Sequence, residues 1–274
     1  MSGRSEDGAM ATIDAACREL KLPTVRSEAS TIADGALRAG LTHRAYLADV
    51  LAAEVDDRRE RRRQRRVADA KFPRIKRLAE FDCSRSPVNE ATLAALAAGS
   101  FIEHGDPIVL LGDSGTGKSH LLIGTGMAAA EAGARVRYTT AAALVNELVE
   151  AADDRTLSRV IARYGRIDLL CLDELGYLSL DTRGAELLFQ VLTEREEQRS
   201  VAVASNAPFS EWGRTFTDAR LAGAVVDRLT FRSLIIETGS DSYRLHTSTA
   251  AGKRNAGRKS DGVSLSIHHD FQRT

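Results

Sequence analysis

The chain has 274 residues, 43% of them apolar and 28% charged, and its 38 Lys+Arg balance 38 Asp+Glu. No apolar run reaches the roughly 18 residues needed to span a bilayer, which excludes a membrane helix, and the polar start MSGRSEDGAM predicts no secretory signal. Cys17, Cys83 and Cys171 are dispersed with no CxxC pair, which argues against a disulfide scaffold or a zinc knuckle and for a reducing, cytoplasmic setting.

Residues 1–90 read as a small all-helical N-terminal domain. Ile13, Cys17 and Leu20 recur at helical spacing, and Pro23 stops that helix. A second helix is expected over 27–38, ended by Gly40. Thr42 suits the N-cap of a third, whose apolar stripe is Tyr46, Leu47, Val50, Leu51 and Val55. This helix continues into a basic block. Residues 58–77 hold 11 Lys or Arg against Glu60 and Asp69, a local charge of +9 that leaves −9 for the remainder. Neighbouring like charges on a helix repel by roughly a few tenths of a kcal/mol per pair, so the block needs counterions or a polyanion. Nucleic-acid phosphates match guanidinium geometry, which makes Arg58, Arg59, Arg61, Arg62, Arg63, Arg65, Arg66 and Lys71 candidate DNA contacts. An acidic protein partner or a solvated face is the alternative. Phe72-Pro73 breaks the helix, and residues 81–87 read as a linker.

From Pro107 the pattern changes to short apolar runs separated by helical stretches. The expected strands are 108–111, 136–139, 169–172, 201–204 and 234–237, with helices over 118–132, 141–164, 183–198 and 219–229. Buried strands joined by helices imply an α/β fold, a parallel five-stranded sheet sandwiched by helices. This second domain is expected over 91–247, followed by a flexible tail over 248–274 rich in Gly, Ser, Lys and Arg.

Gly112-Asp113-Ser114-Gly115-Thr116-Gly117-Lys118-Ser119, with His120 following, fits GxxxxGK[ST] between the apolar run PIVLL and a helical stretch. Such glycines let successive N–H groups point at phosphate oxygens, and the helix N-terminus adds positive potential. Lys118 is expected to reach the β- and γ-phosphates of ATP, and the Ser119 hydroxyl to bind Mg2+. The run DLLCLDE ends in Asp173 and Glu174, expected to hold the magnesium and to orient or deprotonate the attacking water respectively. Asn206 follows the next strand and is a candidate for the γ-phosphate or that water; a turn residue is the plain alternative. Nothing in composition sets Arg228 or Arg244 apart from other arginines. His43, His104, His246, His268 and His269 have no companion at ligand spacing, and Trp212 reads as a packing anchor.

The stretch LDELGYLSLDTRGAELLFQVLTEREEQRSVAVASNAPFSEWGRTFTD, followed by VVDRL and SYRL, resembles the IstB-like transposition helper ATPases. These group with DnaC-type helicase loaders in the AAA+ class, so the resemblance implies an AAA+ P-loop NTPase fold. It matches Asp173 and Glu174 to the family's magnesium and catalytic acids and Asn206 to its first sensor. Arg228 matches an arginine finger reaching a neighbour's ATP, and Arg244 the second sensor. It further implies an ATP-dependent homo-oligomer on double-stranded DNA that recruits a transposase of the same mobile element. A replicative helicase loader is the alternative. A small-molecule phosphotransferase, a third reading, is disfavoured because tandem acids suit water as the acceptor.

Overall fold

The computed structural model describes residues 6–177 and 179–240. They form two compact units: one runs to Asp69 and takes in Glu131–Gly133, and the other holds the remainder from Ala70.

The first unit comprises helices α1 (Glu6–Glu19), α2 (Pro23–Arg38) and α3 (His43–Asp69). Thr42 Oγ1 accepts from the Ala45 N–H at 3.3 Å at the start of α3. Pro23 opens α2 instead of merely ending the helix before it, because a proline at the first turn has no N–H to leave orphaned. Leu22 offers that terminus no side-chain cap, and α3 supplies one. Glu54 Oε2 accepts from the N–H groups of Thr24 (2.8 Å) and Val25 (3.1 Å), while Asp57 takes the Thr24 hydroxyl at 2.5 Å. Glu54 is buried at 3% exposure, and Arg58 pairs with its other oxygen at 2.7 Å. Burial alone would raise its pKa. The hydrogen bonds from Arg58, Val25 and Thr24, with the Arg58 charge, outweigh burial and lower it.

A carboxylate whose pKa is lower folded than unfolded stabilises above its ordinary range, and that contribution disappears as pH falls through the depressed folded value. Glu54→Ala is therefore expected to destabilise the helical unit by about 1–2 kcal/mol at neutral pH. The difference between variant and wild type should shrink on acidification below about pH 4. Denaturant melts monitored by helical circular dichroism at both pH values check this.

The second unit continues with α4 (Glu90–Ala98), α5 (Ser100–His104), β1 (Ile108–Leu111), α6 (Lys118–Glu131), β2 (Val136–Thr140), α7 (Ala141–Asp153), α8 (Leu157–Gly165) and β3 (Leu169–Leu175). It closes with α9 (Thr182–Arg195), β4 (Ser200–Ser205), α10 (Trp212–Thr215), α11 (Ala219–Thr230) and β5 (Leu234–Glu237). All pairings are parallel, in the order β2-β3-β4-β1-β5. Strands β3 and β4 are almost wholly buried, without polar alternation, because helices cover both faces. Arg195, fully buried, ties α8 to β4 by donating to the carbonyls of Tyr164 and Ser200 at 2.5 and 2.6 Å. Burial, with the nearby Arg199 charge, pushes its pKa down to about 10.

Two features depart from expectation. The single helix expected over 141–164 is two helices, because Arg155 turns left-handed at φ 57°. The Thr156 N–H then reaches back to Ala151 O at 2.8 Å and the Arg155 N–H to Ala152 O at 3.2 Å, a closed helix end made without glycine. Secondly, residues 70–90 belong with the sheet and not with the N-terminal helices. A Cβ on Gly124 would lie 3.0 Å from Leu78 and one on Gly126 only 2.8 Å from Phe72, so this segment seats its apolar side chains in notches along α6.

Candidate nucleotide site

Residues 112–117 link β1 to α6. Gly112 adopts φ 148°, and a Cβ there would lie 2.4 Å from Thr238 Oγ1 and 2.8 Å from Gly239 O. That close approach anchors the loop to the end of β5: Asp113 N–H donates to Gly239 O at 3.1 Å, and the Thr116 and Thr238 hydroxyls meet at 2.6 Å. Lys118 Nζ lies over the loop, donating to the carbonyls of Gly112 (2.6 Å) and Asp113 (2.7 Å). Gly117, at φ 99°, would drive a Cβ to 2.7 Å from Phe81.

The loop borders a cavity of about 360 Å³ whose other wall includes Arg74, Lys76, Phe81, Asp82 and Arg85. Sequence reasoning took 81–87 for a linker and so missed this wall. The available signal was Phe81, a large apolar residue stranded among polar ones. Its ring meets His120 edge-on with centroids 5.5 Å apart, and His120 Nε2 lies 2.9 Å from Arg77 O.

Asp173 and Glu174 stand where β3 breaks register with β4: Leu172 pairs with Val203, but Leu175 pairs with Ser205. Bulges of this kind re-aim side chains beside functional sites. Here the backbone of Glu174 is left-handed, at φ 61°, and its side chain is exposed. Asp173 is only 4% exposed. Its Oδ1 accepts from the Glu174 N–H at 2.9 Å and its Oδ2 from the Tyr138 hydroxyl at 2.7 Å.

Strand β4 lies between β1 and β3, so Asn206, just past its end, falls between the loop and the acids. A Cβ on Gly176 would be 3.5 Å from Asn206 Oδ1, and that oxygen is buried without a hydrogen-bond partner. Trp212, fully buried, braces the turn by donating to Ser205 Oγ (3.2 Å) and Ala207 O (3.0 Å).

Ser119 and Asp173 offer a hydroxyl and a carboxylate oxygen, donors suited to Mg2+. Among the described residues no group of three or more His, Cys, Asp or Glu could cage a metal.

Arg228 is not at this edge. It pairs with Glu196 at 2.9 Å and lies 4.3 Å from the Phe189 ring centroid. It borders a cavity of about 120 Å³ shared with His104, Gly105, Pro107 and Arg232, at the end of the sheet where β1 begins. Arg244, with the SYRL segment and the tail 248–274, lies outside the described residues.

On α3 the arginines separate by partner. Arg58 and Arg61 pair with Glu54, Arg61 also with Asp57, Arg59 with Asp56 and Arg63 with Glu60. Arg62, Arg65 and Arg66 have no ion-pair partner among the described residues and share one helix face at i, i+3 and i+4.

A phosphate loop at the end of β1, paired acids at the end of β3 and the parallel order β2-β3-β4-β1-β5 match the AAA+ class of P-loop NTPases. The chain belongs to the family described as IstB-like ATP binding protein, which matches residues 15–251. It is 37% identical over 242 residues to an insertion sequence ATP-binding protein of Sinorhizobium fredii, covering 88% of this chain and 81% of that one. The ATP-binding protein of insertion sequence IS21 from Pseudomonas aeruginosa is 32% identical, covering 85% and 88%. That of IS5376 from Geobacillus stearothermophilus is 35% identical, covering 84% and 92%. Membership implies ATP binding and hydrolysis of the AAA+ type, with Mg2+. Among the described residues no helix is long and apolar enough to cross a membrane.

Proposed function

We propose that this chain is an ATPase that assembles with copies of itself on double-stranded DNA and assists a transposase in target selection. The observation that carries the reading is the convergence of three strand ends, from β1, β3 and β4, on one edge of the sheet. There Lys118 holds the β- and γ-phosphates, and Ser119 and Asp173 hold magnesium, which when bound neutralises phosphate charge. Glu174 takes a proton from the attacking water, and Asn206, between the loop and the acids, senses the γ-phosphate or that water. Arg228, at the far end of the sheet from its own loop, serves a neighbour's nucleotide. The family's insertion-sequence relatives support the transposase role.

Duplex phosphates meet Arg62, Arg65 and Arg66, the face that α3 leaves unneutralised, while Arg58 and Arg61 are occupied with the α2 cap. Alanine at all three is expected to reduce the slope of log affinity against log salt by about 2.7 per protomer, at roughly 0.9 per lost phosphate contact. Alanine at 58 and 61 should lower the stability of the helical unit and leave the slope near wild type. Fluorescence anisotropy on a duplex across a salt series decides between them; an unchanged slope in the triple variant would remove α3 from the DNA interface. Phosphate release faster with duplex than without it supports the wider reading. Phosphate transferred to a metabolite would overturn it.

A further inference from the structure

Strand β2 carries no residue of the phosphate loop or the acid pair, yet one of its side chains reaches the centre of the site. Tyr138 pairs across the sheet with Cys171, two residues before Asp173, and its hydroxyl donates to Asp173 Oδ2 at 2.7 Å. The Glu174 N–H takes Oδ1 at 2.9 Å. The carboxylate is thus held from both sides, one oxygen by the adjoining backbone N–H and the other by a different strand, leaving one lone pair on each oxygen for a further partner. Tyr138 is itself held. Its N–H donates to Ala70 O at 2.8 Å, and the Phe72 ring packs against it with centroids 6.2 Å apart.

We propose that Tyr138 is a positioning residue whose hydroxyl fixes the direction in which Asp173 presents its carboxylate to magnesium. This rests on the reading of Asp173 as a magnesium-holding acid. Groups that orient a metal-bound carboxylate from behind typically change metal affinity by about 10- to 100-fold when removed. Tyr138→Phe deletes one oxygen and keeps the ring against Phe72.

The test uses the full chain with ADP and reads Mn2+ binding by electron paramagnetic resonance, alongside ADP affinity in EDTA. Tyr138→Phe is expected to weaken Mn2+ binding by about tenfold or more, with metal-free ADP affinity within about twofold of wild type. That second value reports the fold in the same sample. In an Asp173→Asn background the Phe substitution should add nothing, because the group it orients has gone. Unchanged Mn2+ affinity in Tyr138→Phe, with a large loss in Asp173→Asn, would overturn the role of Tyr138 alone. Unchanged affinity in Asp173→Asn would overturn the assignment of Asp173 and the inference with it.

Discussion

Glu174→Gln should bind ATP as well as wild type and turn it over about 10² to 10⁴ times more slowly, the range lost with a general base. The substitution exchanges an oxygen for an amide nitrogen, so shape and hydrogen-bonding reach persist while basicity disappears. The neighbouring Asp173 cannot substitute: it is nearly buried, whereas the Glu174 side chain is exposed to the water it would activate. With hydrolysis blocked, an assembly that ATP closes should stay closed, and duplex DNA should dissociate more slowly from the variant. Single-turnover hydrolysis and DNA release after competitor challenge measure the two effects. Turnover within a fewfold of wild type would assign the base elsewhere.

Lys118→Ala should fail one step earlier, with ATP affinity lower by roughly 10²-fold, the scale of a lost charged contact of about 3 kcal/mol. Lys118 Nζ spans the carbonyls of Gly112 and Asp113, so it can swing to phosphate without rearranging the backbone. The loop should keep its shape in the variant, because Asp113, Thr116 and Gly112 remain tied to Thr238 and Gly239. Titration with a fluorescent ATP analogue, with thermal melting as the control for folding, separates lost charge from a lost loop. Equal loss of nucleotide affinity in Lys118→Ala and Glu174→Gln would contradict both assignments.

Much of this architecture was legible because its signals are local. The five strands are short apolar runs, and GDSGTGKS carries its own turn and helix chemistry. What the sequence hid is non-local or lacks a composition mark. The insertion of β4 between β1 and β3 follows from crossover packing, not from any residue pattern. The break after Asp153 uses Arg155 where glycine would have announced it. Phe81 looked like a linker residue because only the folded chain brings it against Gly117. Tyr138 carries no mark in the sequence beyond its place in a strand, because its reach to Asp173 depends on a neighbouring strand. In the arginine block, spacing alone could not separate residues held by Glu54 and Asp57 from those left to face a partner.

The backbone at Glu174 has a consequence for the protein's evolution under heat. A glutamate at φ 61° carries a penalty of about 1–2 kcal/mol that asparagine or glycine largely escapes. Selection for thermal endurance alone would favour losing the glutamate at this position, and with Glu174 as the proposed base each such gain would cost turnover. Under that assignment stability and turnover pull in opposite directions on this one residue, so a hardened version that still works must find its added robustness elsewhere in the molecule.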